Sequence, residues 1–159
     1  MLINPDRSLL LIIDVQERLI PAVHDSAGLV DACEWLLRLA QDLEIPVLAS
    51  EQYPRGLGPT TRTIRRRLED ESVVEKVHVS CLGEPDCREA MDETGRDHVV
   101  VAGIEAHVCV LQTVLNLLER GKQVFVVADA VSSRNPENAR LGLERMRQNG
   151  AQVVTREMV

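Results

Sequence analysis

A three-layer α/β/α fold, doubly wound around six mainly parallel strands, is what the sequence predicts, on three observations. Short runs rich in Leu, Ile and Val recur along the chain. Between them lie stretches whose apolar residues fall at three- and four-residue spacings. The first run, Ser8–Asp14 (SLLLIID), is continuously apolar instead of alternating. Continuous apolarity marks a strand buried on both faces, as in a parallel sheet covered by helices, and right-handed crossovers lay each helix back on the sheet. A chain of 159 residues, 45% hydrophobic and 27% charged, suffices for one compact domain spanning residues 1–159.

The elements follow in order. After the first strand, Ala27–Leu43 sets Leu29, Ala32, Cys33, Leu36, Leu37, Ala40 and Leu43 on one stripe of a helix. Pro46–Ala49 is the second strand. Beyond the loop EQYPRGLGPT, Thr60–Leu68 reads as a short helix and Val73–Lys76 as a brief third strand. Glu84–Thr94 is a helix closed by Gly95, a residue suited to the left-handed cap. His98–Ala102 (HVVVA) is the clearest β-branched strand, and Ala106–Arg120 a helix burying Val110, Leu111, Val114, Leu117 and Leu118 before Gly121 ends it. Gln123–Ala128 makes a fifth strand, Pro136–Gln148 a helix with proline in its first turn, and Ala151–Val154 the last strand.

Composition excludes several classes of function. Eighteen basic residues against twenty-five acidic give a formal charge of -7, and there are only three aromatics, so phosphate tracking and base stacking are poorly supplied and nucleic acid is not an expected partner. The one basic run, Arg62 with Arg65, Arg66 and Arg67, meets Glu69, Asp70 and Glu71 at once and reads as a solvated helix end. No window nears the roughly 18 apolar residues of a membrane span. The N-terminus reaches Asp14 before a secretory signal could form, so a cytoplasmic location is expected. Cys33, Cys81, Cys87 and Cys109 are irregularly spaced and no CxxC occurs, which points to neither a disulfide framework nor a zinc knuckle.

In an open α/β sheet, ligands bind beyond the carboxyl ends of the strands. Topology therefore singles out Asp14, the Glu51 loop, Lys76, Gly103–Cys109 and Asp129–Arg134. Cys109 lies at a loop-to-helix junction, where unpaired N–H groups and the positive helix end favour a thiolate and could also hold an oxyanion. Its other reading is a small core residue among Val108, Val110 and Leu111. Asp14, closing a buried run, must be hydrogen-bonded, paired or functional, and a loop-fixing carboxylate is the plain alternative. Lys76 alone reads equally well as a structural cation. Together they would bring an acid, a base and a thiol from three strand ends to one crevice, as covalent hydrolysis requires.

Four segments carry a resemblance: DVQERL after the first strand, the EQYPRGLGPT loop, Lys76 followed by VHVSC, and VVVAGIEAHVCVLQTVLNLLERGKQVFVVADAVSSR. They resemble the isochorismatase-like cysteine hydrolase superfamily, which includes nicotinamidases, over almost the whole chain. The GIEAHVCV block with the later D-A-x-x-S-R is the specific part. The resemblance implies a triad in which Cys109 is the nucleophile, Asp14 takes its proton and Lys76 supports the developing charge. It also implies a cis peptide between Ile104 and Glu105, with the backbone N–H groups of Glu105 and Cys109 forming an oxyanion hole. The implied reaction is cleavage of an amide-type C–N bond in a small molecule through a thioester, Asp14 returning the proton to the leaving amine.

The departures from the family also carry information. Nicotinamidases hold a metal through an aspartate and histidines in the loop after the second strand, whereas SEQYPRGLG has no histidine. That version resembles a metal-independent subgroup, so neither metal nor cofactor is expected. Gln16, Glu51, Gln52, Tyr53 and His107 are the expected pocket residues; His24, His78 and His98 read as surface or loop histidines. Val159 directly follows the last strand, where the family commonly continues into a helix. A partner subunit could supply that cover, the member could be naturally short, or the sequence could lack a tail. A homo-oligomer is expected. Two other functions remain open: an isochorismatase-type vinyl-ether hydrolase relying on the aspartate, and a non-catalytic scaffold with Cys109 inert or redox-sensitive, Cys81 and Cys87 being conceivable resolving thiols.

Overall fold

Ser8–Ile13 (β1) is buried at every position, so its apolar run has to lie where helices cover both faces of the sheet. In the computed structural model, which describes residues 1–159, β1 occupies the middle of a six-stranded sheet. The other strands are β2 (Val47–Gln52), β3 (Val73–Lys76), β4 (His98–Ile104), β5 (Gln123–Ser132) and β6 (Gln152–Val154). Their order is β3-β2-β1-β4-β5-β6 and every strand pairing is parallel. The helices are α1 (Ser26–Asp42), the single turns α2 (Pro54–Leu57) and α3 (Arg62–Arg65), α4 (Pro85–Glu93), α5 (Leu111–Glu119) and α6 (Pro136–Gln148).

Strand alternation separates two cores. Leu10, Ile12, Val100, Ala102, Phe125 and Val127 meet Leu29, Cys33, Leu36 and Leu37 of α1 on one face. Leu9, Leu11, Ile13, Val99, Val101, Val124 and Val126 meet Met91 of α4, Val114 and Leu117 of α5 and Met146 of α6 on the other. The predicted three-layer arrangement is thus the one observed, with no helix long and apolar enough to cross a membrane.

The differences lie where polar residues are internally satisfied. β2 continues past Ala49 to Gln52 because Ser50 and Glu51, although polar, find partners inside. β4 and β5 extend to Ile104 and Ser132 through a register shift between Val101 and Gly103. Thr60–Leu68 forms only the turn Arg62–Arg65, for Ile64 and Leu68 are its only buried apolar side chains. The segment expected to begin a regular helix at Ala106 opens instead with a wide π turn, Ala106–Val110. His98, read as a surface or loop histidine, is buried in β4 against Phe125, its Nδ1 accepting the Asn4 N–H at 3.3 Å. Gly95 has φ +64°, the left-handed end expected of it.

Gly103 governs how closely β1 and β4 approach just before both enter the crevice. Its φ is +122°, and an added Cβ would sit 2.1 Å from the Ile13 carbonyl oxygen. Neither clash nor conformation admits a side chain. Gly103→Ala should therefore cost about 3 kcal/mol or more of stability, read as a lowered urea midpoint; a midpoint within experimental error of wild type would show that the strands separate freely.

Candidate active site

The strand order places β1 and β4 side by side with their onward connections on opposite faces, the position at which a doubly wound sheet opens a crevice. Asp14 follows β1 directly in a left-handed conformation, φ +53°, which aspartate tolerates better than most residues. Its N–H donates to the Ser50 carbonyl at 3.1 Å, and its own carbonyl accepts the Gln16 N–H at 2.8 Å. The Ser50 hydroxyl donates to Asp14 Oδ1 at 2.7 Å.

Lys76 ends the edge strand β3. There alternation buries Val74 and Lys76 and exposes Glu75, so the ammonium is directed inward, across β2. Lys76 Nζ lies 2.8 Å from Asp14 Oδ2, with both side chains 1% exposed. The same nitrogen is 2.5 Å from Gln52 Oε1, 3.1 Å from the Val79 carbonyl, 3.3 Å from that of His78, and 3.5 Å from Cys109 Sγ.

Cys109 stands on the π turn after β4. The Val108 and Val110 N–H groups both donate to the Glu105 carbonyl, at 3.0 and 3.2 Å, which widens the turn. The Ile104–Glu105 peptide is cis. The Glu105 N–H has no acceptor within the chain, whereas its carboxylate is held by Arg134.

Electrostatics alter the expectation of a ready thiolate. Burial pushes the Cys109 thiol up, to about 12, and the Asp14 charge adds to this; Lys76 offsets only part. The helix-end effect anticipated from sequence is outweighed, and at neutral pH Cys109 is a thiol. Burial also raises Asp14 above the usual carboxylate range, opposed by Lys76 and Ser50. For Lys76, burial works against the charge, but Asp14 and Cys109 together more than compensate and its pKa is raised. Lys76 is thus held as an ammonium and Cys109 as a thiol, while Asp14 stands between them, paired with the ammonium and in hydrogen-bond reach of the sulfur, so that a proton has a short route between sulfur and carboxyl.

Among the expected pocket residues, two face inward as scaffolding. Gln16 is fully buried: its Nε2 donates to the Gln52 and Gly58 carbonyls at 2.9 and 2.7 Å, and its Oε1 accepts the Gln52 N–H at 2.7 Å. Glu51 Oε1 accepts the Thr60 N–H at 2.6 Å. Both pin the 52–60 loop instead of opening onto a ligand. Gln52 touches Lys76 directly, while His107 turns its Nδ1 to Ser133 Oγ at 2.9 Å. Tyr53 is exposed and, with Arg55, Glu75, Lys76, Val77 and Glu84, lines a cleft of about 280 Å³.

Sequence reading missed three contributors. Ser50 pairs in register with Ile13, next to Asp14, and a hydroxyl in the middle of a buried strand was the available signal. Glu84 accepts the Val77 and His78 N–H groups and the His78 ring, contacts that hold its carboxyl low, at about 2, and shape the loop over Lys76. Arg134 was covered only as the end of a strand-exit segment. No group of three or more His, Cys, Asp or Glu side chains is placed to hold a metal, and Glu51, in the loop that binds metal in nicotinamidases, is already engaged by Thr60.

Comparison with known proteins bears on the family and the fold. A family model described as the isochorismatase domain matches residues 8–158. The chain is 34% identical to isochorismatase family protein 1B of Dictyostelium discoideum, covering 99% of this chain and 78% of that protein. It is 39% identical to isochorismatase domain-containing protein 2 of Macaca fascicularis, covering 96% and 73%. Among solved structures, the MAR1 ribonuclease of Caenorhabditis elegans superposes with a TM-score of 0.92 at 37% identity, over 99% of this chain and 81% of that one. The Escherichia coli YcaC gene product, described as an octameric hydrolase of unknown specificity, gives 0.95 at 25% identity, over 100% and 80%. A domain match over nearly the whole length, on a sheet whose crevice gathers Asp14, Lys76 and Cys109, means that this chain belongs to the isochorismatase family.

Proposed function

We propose that this protein is a cysteine hydrolase that cleaves an amide-type C–N bond of a small molecule through an acyl-thioester on Cys109. One observation carries the reading: a single buried ammonium, Lys76 Nζ, lies 2.8 Å from the Asp14 carboxylate and 3.5 Å from the Cys109 sulfur. A scaffold has no need to bury a carboxylate and a cation beside a thiol, for burying charges is costly.

The sulfur attacks the carbonyl carbon as its proton passes to Asp14. The thiolate and then the tetrahedral intermediate form beside Lys76, and the oxyanion is received by the backbone N–H groups of Glu105 and Cys109. Asp14 gives the proton to the departing nitrogen, the C–N bond breaks, and the thioester remains. Asp14 then draws a proton from water, which adds to the thioester and releases the acid and the thiol. The cytoplasmic, single-domain and metal-free character expected from sequence belongs to this proposal. So does self-association, supported by the octameric neighbour and by the exposed Tyr53, Val77 and Val79 around the crevice.

Two experiments test the proposal. In quenched reactions with a panel of small primary amides and their esters, intact mass spectrometry should find an acyl adduct on Cys109, with turnover abolished in a folded Cys109→Ala variant and unchanged by a chelator. Turnover surviving Cys109→Ala, or lost to chelation and restored by a divalent metal, would contradict it. The neighbour named a ribonuclease makes RNA the necessary control; processive RNA cleavage without amide turnover would replace this reading.

The second experiment follows Cys109 alkylation against pH. Asp14 raises the thiol pKa and Lys76 lowers it. Asp14→Asn should therefore move the alkylation midpoint down by about one pH unit or more, and Lys76→Met should move it up. Asp14→Asn thus makes the sulfur more reactive at neutral pH while abolishing amide turnover. Shifts of the opposite sign would remove both residues from the site.

A further inference from the structure

The Cys109 turn is held from outside the triad. β5 runs beside β4 to the pairing of Ile104 with Ser132, so the residues that follow, Glu105 on one strand and Ser133 and Arg134 on the other, meet beyond the sheet. Arg134 places two donors, its backbone N–H at 2.9 Å and its Nε at 3.1 Å, on the same Glu105 oxygen, Oε2. One donor is main chain, so the anchor is built into the strand exit and does not depend on a mobile side chain alone.

The neighbouring residues fix this exit at both sides. The Ser133 hydroxyl engages the His107 ring at 2.9 Å, two residues before the nucleophile. Ser132 Oγ donates to the His24 carbonyl at 2.5 Å, and the Ser133 carbonyl accepts the His24 N–H at 3.0 Å. Glu105 therefore has its carboxylate tied to Arg134 in the exit from β5 and its carbonyl shared between Val108 and Val110, while its N–H has no acceptor within the chain.

We infer that Arg134 is a positioning residue: by gripping the Glu105 carboxylate it sets the direction of the Glu105 backbone N–H, and so the stabilisation of the oxyanion formed when Cys109 attacks a carbonyl. The inference rests on the cysteine hydrolase reading. Neither Glu105 nor Arg134 shares a hydrogen bond or ion pair with Asp14 or Lys76, so this anchor serves the oxyanion side of the reaction and leaves the proton-handling side alone. A donor displaced by a fraction of an ångström from the oxyanion loses much of its effect, because preorganisation is what gives it value.

The test compares two reactions of the same sulfur. Acylation by an amide or ester passes through an oxyanion; alkylation by iodoacetamide does not. Acylation should fall about 10-fold in Arg134→Ala and about 100-fold in Glu105→Ala, through kcat with KM nearly unchanged. Alkylation of Cys109 in both should stay within about twofold of wild type. Glu105→Gln, whose amide oxygen still accepts both N–H groups, should retain most of the acylation rate. Equal losses of alkylation and acylation would show that the anchor merely supports the turn and would overturn the inference, as would undiminished acylation in Glu105→Ala. Failure of the wild type to form any acyl adduct would overturn the hydrolase reading and this inference with it, a result distinct from either because it appears without substitution.

Discussion

A buried ion pair between Lys76 and Asp14 is the constraint on which the rest of the site depends. Two charges removed from water are tolerated only when each is met by its partner and by further hydrogen bonds, and losing one partner of such a pair typically costs about 3–5 kcal/mol. Here the ammonium is met by the carboxylate, by Gln52 and by the Val79 and His78 carbonyls, while the carboxylate is also met by Ser50. These contacts tie the edge strand β3 to the central strand β1 across β2 and fold the loop after β3 over the crevice. Sheet order, loop shape and the electrostatics of Cys109 are linked through one nitrogen atom.

The same pair explains why a high-pKa thiol is compatible with nucleophilic chemistry. A preformed thiolate beside the Asp14 carboxylate would place two negative charges in a poorly solvated crevice with one cation to share. Keeping the proton on sulfur until a carbonyl arrives leaves the net charge of the group unchanged as the proton moves to Asp14. Lys76 then faces a thiolate in place of a carboxylate at nearly constant cost. On the proposed cysteine hydrolase reading, reactivity toward substrate and quiescence toward incidental electrophiles follow from the same arrangement, with Tyr53 and Val77 exposed at the rim of the adjoining cleft.

Much of this was legible in the sequence because the governing patterns are local. SLLLIID ends in an acid because a doubly buried strand admits a charge only where it opens to a site, and Pro136–Gln148 carries its own start signal in the proline. What escaped were long-range satisfactions of polar groups. Ser50 and Glu51 looked like the start of a loop because the acceptors and donors they meet lie 36 and 9 residues away. Gln16 resembled a pocket residue because nothing local reveals that its amide closes the 52–58 loop. The π turn at Cys109 is invisible to helical periodicity, since Val110 and Leu111 remain on the inner side. The thiolate expectation failed for a related reason: it weighed the helix end, which sequence reveals, against an Asp14 charge and a burial that only the assembled crevice supplies.

The most direct test of this account is the location of the proton in the resting protein, measured by carbon-13 NMR with labels at the Asp14 carboxyl and the Cys109 β-carbon at neutral pH. An ionised Asp14 with a protonated Cys109 is the predicted pair of signals, changing together as the thiol titrates in the alkaline range. A protonated Asp14 with a thiolate at Cys109 would contradict it and would mean that the nucleophile is preformed instead of generated on attack.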